Sequence, residues 1–186
     1  MSSLPVIETQ RLILRKPEPR DVDASVAFLM SERGRFLVSG PMTAGKAWRA
    51  FASIIGHWDM RGYGLFAIEL KKSGEVIGQA GPWFPGDWPE PEMSWAIWAD
   101  EAEGKGYAYE AAKAALAHMR KSWEILYPVS YIDVKNTRSI RLAERLGAVI
   151  DPAAEDPFKE EEGDGYIYRH QSADQIGGDG GMEAYV

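Results

Sequence analysis

The chain contains no cysteine, and this absence removes several chemistries together. Disulfide bonds, thiolate metal sites and a cysteine nucleophile all require a thiol, so none of them is available. If the protein moves an acyl group from a thioester, we therefore expect the acceptor to attack that thioester directly in a ternary complex. A serine-bound intermediate would need an activating base beside the hydroxyl.

Histidine is also scarce, and metal-ligand spacing is missing. His57, His118 and His170 are far apart in the sequence, so we predict no metal site. No apolar run is long enough to span a bilayer, and residues 1–5 lack the basic and apolar regions of a signal peptide. We therefore expect no membrane partner and a cytoplasmic location.

Basic residues are fewer than acidic ones, 21 against 28, and the formal net charge is −7. This balance disfavours nucleic acid as a partner. A negative field would favour a cationic acceptor such as an amine, and it is equally typical of proteins that are acidic only for solubility.

Strand and helix patterns alternate along the 186 residues, and they predict a single domain with a mixed α/β sheet over residues 1–172. The glycine-rich residues 173–186 are expected to form a flexible tail, and residues 82–91 a proline-rich loop. Alternating apolar residues predict strands over 11–16, 64–70, 75–81, 92–98, 129–134 and 165–170, with a hairpin turn at 71–74. Helical periodicity predicts helices over 21–30 and from Thr43 to Gly62, the second burying Trp48, Phe51, Ile54, Ile55 and Trp58.

A glycine turn, Glu101-Ala-Glu-Gly-Lys-Gly-Tyr-Ala108, opens what the pattern predicts to be the longest helix. Such a turn gathers unpaired backbone N–H groups at the positive end of a helix dipole, and together they bind phosphate without a metal. The alternative is a tight strand-to-helix turn that binds nothing. The face that this helix presents to a sheet consists of small or apolar residues: Ala108, Ala111, Ala112, Ala115, Leu116 and Met119.

A second polar helix start, Asn136-Thr-Arg-Ser139, follows the strand pattern at 129–134 and leads to a helix that ends at Gly147. Asn136 and Ser139 are one turn apart, so their side chains share a face. They can contact a ligand, or Asn136 can cap the helix while Ser139 only completes the capping turn. Both interpretations can hold together.

Four stretches, in this order, resemble the GNAT-fold N-acetyltransferases, and more narrowly their RimJ/RimL branch of ribosomal-protein N-terminal acetyltransferases. They are residues 8–15, residues 76–81, the glycine turn and residues 136–147. The resemblance implies a mixed, mostly antiparallel sheet that is flanked by helices and splayed at an acetyl-CoA site. It also implies acetyl-CoA as cosubstrate and an amine as acceptor.

The resemblance assigns the cofactor contacts by position. Backbone N–H groups at Met93 and Trp95 would polarise the thioester carbonyl, as an oxyanion hole does. Asn136 would bind the pantetheine arm, and Ser139 would lie near the sulfur and donate to the leaving thiolate. The pyrophosphate would lie on the glycine turn, against Glu103, Gly104, Lys105, Gly106, Tyr107 and Ala108.

Two positions depart from the family pattern. Glu101 occupies a place where the family usually has Gln or Arg, and Ala143 a place where many members have a tyrosine acid. A thiol has a pKa of about 8.5, so coenzyme A leaves as a thiolate with modest help. Ser139, Tyr107 or a water would supply that help.

Glu92 opens the strand before the glycine turn, and the resemblance makes it the candidate general base. An ordinary glutamate pKa near 4.3 is low for this task, so burial or a relay water would be needed. The alternative is a solvated carboxylate at a strand end. The aromatic loop that precedes Glu92 would wall the acceptor pocket through Trp83, Asp87 and Trp88, or would be an ordinary surface loop.

The function predicted from these residues is acetyl transfer from acetyl-CoA to a primary amine, either a protein N-terminus or a small molecule. The protein could act as a monomer or a homodimer. One alternative is a non-catalytic acyl-CoA-binding module, which Ala143 and Glu101 keep open. Another is a nucleotide-binding protein, although the chain lacks the Gly-Lys-Ser/Thr of a phosphate loop.

Overall fold

A computed structural model describes residues 4–38, 42–158 and 165–171. The predicted tail at 173–186 lies outside these residues. The described chain forms one eight-stranded sheet with four α-helices. The strands are β1 (Ile7–Glu8), β2 (Leu12–Arg15), β3 (Phe66–Leu70), β4 (Val76–Trp83), β5 (Glu92–Ile97), β6 (Val129–Asp133), β7 (Ala148–Ile150) and β8 (Gly165–His170). The helices are α1 (Val22–Leu29), α2 (Ala44–Arg61), α3 (Tyr107–Ser122) and α4 (Thr137–Arg145).

The sheet is mixed and mostly antiparallel, as predicted, with strand order β1-β2-β3-β4-β5-β6-β8-β7. Among these eight described strands, only β5 and β6 run parallel to each other, and they pair at the single position where Glu92 faces Val129. The neighbouring β4 and β5 pair over six positions, from Gly78 opposite Ile97 to Trp83 opposite Glu92. The sheet is therefore continuous through β5 and splits immediately beyond the start of β6.

Helices cover both faces of the sheet, and β5 contributes to both cores because its side chains alternate. Met93 and Trp95 pack in the larger core with the alanine face of α3. Ala96 and Trp98 pack in a second core with α1 and α2. The predicted small-residue face of α3 is confirmed, since it is buried from Ala111 to Met119.

Local signals set the helix ends as the sequence predicts. The Thr43 side chain caps α2 by accepting from Lys46 N–H, and Gly62 ends that helix with a positive φ of 76°. Gly147 follows α4 with a φ of 80°, a conformation that glycine adopts without steric cost.

Three sequence expectations are wrong. Trp48 is exposed (57%), because the buried stripe of α2 runs through Ala47, Phe51 and Trp58 and Trp48 lies about 90° around the helix from its centre. The longest helix is α2 with 18 residues, whereas α3 has 16. The predicted loop at 82–91 begins later, since Trp83 belongs to β4 and pairs with Glu92.

Candidate active site

The split between β5 and β6 has a side-chain cause. Val129 N–H donates to Pro91 O at 3.1 Å, which makes the single parallel contact. In a continued parallel ladder, the Met93 carbonyl would next accept from Tyr131 N–H. The buried Ser130 hydroxyl donates to that carbonyl instead. The two strands therefore separate after one pair, and a wedge opens between them.

Side chains hold backbone carbonyl groups along the edge of β5 that faces the wedge. Ser130 holds the Met93 carbonyl, and the Arg33 guanidinium donates to Ile97 O at 2.7 Å and to Trp98 O at 2.8 Å. Backbone groups two residues apart point the same way along a strand, so the N–H of Trp95 also faces the wedge. Sequence reasoning missed both Ser130 and Arg33, because neither belongs to a local motif.

The glycine turn precedes α3 as a bend with unpaired donors. Gly104 and Gly106 have φ values of 71° and 78°, and a Cβ at Gly104 would meet nothing within 4 Å. The first backbone hydrogen bond of the helix runs from Glu110 N–H to Gly106 O at 3.1 Å. Within the described part of the chain, the N–H groups of residues 104–109 donate to no backbone carbonyl. Donors in this arrangement, which we call the cradle, are able to bind an anion at the positive end of α3, and Ala108 lies in the first turn of that helix.

Arg11 fixes the shape of this turn from β2's side of the sheet. Its guanidinium donates to Lys105 O at 2.9 Å and to the Glu110 carboxylate at 2.6 Å, and it lies 4.4 Å from the centroid of the Tyr107 ring. The Lys105 backbone is therefore held in place, while the residue itself stays exposed.

Glu103 is engaged by side chains from two other parts of the fold. Its carboxylate accepts from Arg33 at 2.8 Å and from Arg138 at the start of α4. Desolvation opposes the charge on Glu103, but the hydrogen bonds from Arg33 and Arg138 prevail and lower its pKa below the usual value. Glu103 therefore joins the wedge, the glycine turn and α4 through ion pairs.

Asn136 caps α4, since its side-chain oxygen accepts from Ser139 N–H at 3.2 Å. Both residues are partly buried at the first turn of the helix, as the spacing predicts. The capping interpretation is thus observed, and the Ser139 hydroxyl remains available beside it.

A cavity of about 710 Å³ lies on the face of the sheet that α1 and α2 cover. Glu92, Trp83 and Trp88 line it, together with Ser94 and Tyr131. None of the residues predicted to contact the cofactor lines this cavity. The wedge and the cavity are therefore adjacent regions that meet at the start of β5.

Glu92 is partly buried in this cavity. Desolvation raises the pKa of its carboxyl to about 7, even though hydrogen bonds from Trp88 and Ser94 favour the ionised form. The Trp88 indole N–H donates to Glu92 at 3.0 Å. A carboxyl group in this state exchanges a proton near neutral pH, as a general base must.

The aromatic loop divides into cavity and surface residues. Trp83 stacks on His57 with ring centroids 4.8 Å apart, and Phe84 N–H donates to His57 Nε2 at 3.0 Å. Desolvation lowers the pKa of His57, so this imidazole stays neutral and supports the loop. Asp87 is exposed and does not line the cavity, whereas Trp83 and Trp88 do.

Across residues 4–38, 42–158 and 165–171, no group of three or more His, Cys, Asp or Glu side chains could hold a metal ion. In the same residues, no helix combines the length and apolar character that a membrane span requires.

Comparison with known proteins identifies the family. A profile of the acetyltransferase (GNAT) domain matches residues 11–149, which is most of the chain. This span contains the wedge, the glycine turn and α4. The protein therefore belongs to the GNAT acetyltransferase family.

Several relatives share most of the chain. An acetyltransferase from Agrobacterium tumefaciens C58 superposes with a TM-score of 0.82 and 32% identity, covering 92% of this chain and 97% of its own. The uncharacterized protein YkkB from Bacillus subtilis strain 168 is 29% identical over 79% of this chain and 87% of its own. RimL, a ribosomal L7/L12 α-N-protein acetyltransferase solved with coenzyme A, superposes with a TM-score of 0.69 at 16% identity, over 90% of this chain and 98% of its own. RimL therefore shares the fold.

Proposed function

We propose that the protein is an acetyl-CoA-dependent N-acetyltransferase that moves the acetyl group directly to a primary amine. The observation that carries this proposal is the arrangement of β5. Glu92 places a carboxyl group with a pKa of about 7 in the cavity, and three residues later the Trp95 N–H faces the wedge. One strand thus brings a proton acceptor and a carbonyl-polarising donor to the meeting point of two ligand regions.

The residues present fit acetyl-CoA. The open N–H groups of residues 104–109 can hold its pyrophosphate, and Gly104 leaves room for phosphate to approach the backbone. Arg138, in the first turn of α4 with Asn136 and Ser139, pairs with Glu103 beside this cradle, and we assign the pantetheine arm to that turn. RimL, which shares the fold, binds coenzyme A, and we assign the corresponding role to this chain.

When bound, acetyl-CoA supplies a thioester whose carbonyl carbon accepts the amine nitrogen while the C–S bond breaks. The surplus proton on the nitrogen passes to Glu92. The Trp95 N–H donates to the carbonyl oxygen as its negative charge grows. The Ser139 hydroxyl donates to the departing sulfur, because Ala143 is buried and carries no proton to give.

The acceptor that suits this base best is an α-amine. Its pKa of about 7.7–8.0 leaves a reactive unprotonated fraction at neutral pH, whereas a lysine amine near 10.4 leaves far less. A protein N-terminus meets this requirement, and a simple alkyl amine resembles lysine and makes a greater demand on the base. The name of RimL as an α-N-protein acetyltransferase adds weight to the former.

The proposal is tested by following free-thiol release from acetyl-CoA with Ala- and Ser-starting peptides, phenethylamine and spermidine. The matched control is each peptide with its N-terminus already acetylated and no lysine. We expect release to rise with the free amine and to stay at background with the blocked one. Tight acetyl-CoA binding without stimulated release by any amine would instead support the non-catalytic acyl-CoA-binding module.

A further inference from the structure

A buried phenol in the cavity has no hydrogen-bond partner among the residues that the structure describes. The hydroxyl oxygen of Tyr131 on β6 is fully buried, and in the described residues nothing donates to it or accepts from it. An unsatisfied buried polar group costs about 1–3 kcal/mol, so its presence calls for a reason. Two histidine nitrogens, in His118 and His170, also find no partner within the described part of the chain, but neither residue lines the cavity.

The Tyr131 side chain lies on the same face of the sheet as Glu92. Glu92 faces Val129 in the parallel pair, and alternation along β6 turns Tyr131 to the side on which Val129 points. Both Glu92 and Tyr131 line the cavity. Trp88 touches both, since its indole N–H donates to Glu92 at 3.0 Å and its ring meets the Tyr131 ring edge-to-face at 6.3 Å.

The surroundings keep this phenol protonated. Desolvation and the nearby carboxylates of Glu90, Glu92 and Asp156 raise the pKa of Tyr131 above its usual value. At neutral pH the hydroxyl is therefore a neutral group that can both donate and accept a hydrogen bond.

We propose that the Tyr131 hydroxyl and the Glu92 carboxylate form a two-point site for the nitrogen of the acceptor amine. A neutral primary amine has two N–H groups and one lone pair. The phenol must rotate slightly to uncover its oxygen. With one N–H then donated to Glu92 and the other to the Tyr131 oxygen, the lone pair is left to point into the wedge. This assignment rests on the proposed acetyl transfer and specifies how the acceptor is held.

The step balances with these two residues. The nitrogen lone pair forms the N–C bond, the C–S electron pair leaves with sulfur, and the surplus nitrogen proton passes to Glu92. Tyr131 gains and loses no proton. It acts by orienting the nucleophile, and misorientation of a reactant is costly in rate.

The test compares Tyr131→Phe with Tyr168→Phe. Tyr168 lies on the neighbouring strand β8, where its hydroxyl donates to Glu144 at 3.4 Å. The two variants thus make the same chemical change on adjacent strands. For the amine that the wild type acetylates, we expect Tyr131→Phe to lower kcat/KM about tenfold or more, the loss of roughly one hydrogen bond. The KM for acetyl-CoA should not rise and the melting temperature should not fall, and Tyr168→Phe should keep the acceptor kcat/KM.

Unchanged acceptor kinetics in Tyr131→Phe, alongside a slow Glu92→Gln, would overturn the two-point site while leaving acetyl transfer intact. A parallel loss of melting temperature and of acetyl-CoA binding would also overturn it, because the hydroxyl would then be structural.

If the wild type acetylates no amine, the acetyl-transfer proposal fails, and binding still decides the site. Phenethylamine is then titrated against tryptophan fluorescence, since Trp88 lies beside both groups. Weaker binding to Tyr131→Phe than to wild type would support the site, and equal binding or none would overturn it.

Discussion

The wedge side and the cavity side of β5 differ in whether backbone groups or side chains face the space where a ligand would bind. On the wedge side the ligand groups are backbone N–H donors, at Trp95 and across residues 104–109, released by a split ladder and by a helix start. On the cavity side they are side chains, above all Glu92 and Tyr131, brought together from separate strands.

This difference indicates that acceptor specificity can change more easily than cofactor binding. Backbone donors depend on the path of the chain, so they persist with any sequence that keeps the fold and the glycines. Side chains in the cavity can be exchanged one at a time without altering that path. The wedge side, which we propose binds acetyl-CoA, is therefore the fixed part of this architecture. The cavity side, which we propose holds the acceptor, is its variable part, and Glu92 lies where the two meet.

We expect the largest effect on activity from a substitution that changes only the cavity side. Glu92→Gln should lower kcat by about 10²–10⁴-fold, the usual contribution of a general base, while acetyl-CoA affinity stays unchanged. Wild-type activity should rise with pH and reach its half-maximum near pH 7, because protonated Glu92 cannot accept a proton below that pH. The amine's own pKa adds a second rise at higher pH. The pH profile of kcat/KM checks this.

The control for that experiment is Glu90→Gln, two residues away. Glu90 is paired with Arg169 and does not line the cavity, so its variant should keep the wild-type profile. A rise with pH that survives in Glu92→Gln would assign the base elsewhere.

We expect the next largest effect from a substitution that changes only the wedge side. Gly106→Val places a β-branched side chain at a φ of 78°, where a left-handed conformation costs about 1–2 kcal/mol and distorts the cradle. We expect the KM for acetyl-CoA to rise about tenfold or more, with little change in the KM for the acceptor. Gly74→Val is the control, because Gly74 has a φ of 73° in an exposed hairpin turn. Equal effects of both variants on acetyl-CoA would show general destabilisation instead.

We expect a smaller effect, on stability, from removal of the Ser130 hydroxyl that holds β5 and β6 apart. Ser130→Ala leaves the Met93 carbonyl and His170 Nε2 without their partner, and it should lower the free energy of unfolding by about 1–3 kcal/mol. His170 offers no charge to compensate, because burial lowers its pKa to about 3. Denaturant unfolding measures the loss, and Ser122→Ala, at an exposed position of α3, should change it by less than about 0.5 kcal/mol. Equal stability of the two variants would contradict the role of Ser130.

We expect the smallest effect from a change of charge at the wedge, measured as acetyl-CoA affinity. Glu103→Gln removes a negative charge beside the phosphate cradle and frees Arg138, so acetyl-CoA should bind about two- to threefold more tightly at low salt. The gain should shrink at high salt, because exposed charges are screened. Calorimetry at two salt concentrations checks it, with Glu75→Gln on the distant hairpin as control. Weaker binding in Glu103→Gln would mean that its ion pairs shape the cradle.

Much of this architecture follows from local sequence. The hairpin around residues 71–74, the caps at Thr43 and Gly147, and the start of α4 at Asn136 are all predicted and observed, because turns and caps depend on neighbouring residues. The prediction that Trp48 is buried was wrong because burial depends on more than neighbouring residues in the sequence. A helical pattern indicates which residues share a stripe, and the neighbours of that stripe decide how wide its buried part is.

The site shows the same limit. Glu92 can be selected from its place before the glycine turn, and its pKa near 7 depends on the depth of the cavity that distant segments build. The ion pairs of Glu103 with Arg33 and Arg138 join residues 70 and 35 positions apart, which no spacing rule connects.

The family, the mixed sheet and the glycine turn can be predicted from the sequence, because turns, caps and alternation act over a few residues and leave a readable pattern. The wedge depends on a tertiary contact, in which one serine hydroxyl replaces a ladder hydrogen bond. The tertiary structure also decided which carboxyl is desolvated and which phenol is left without a partner. Desolvation and pairing depend on what surrounds a group in space, and residues far apart in the chain supply those surroundings.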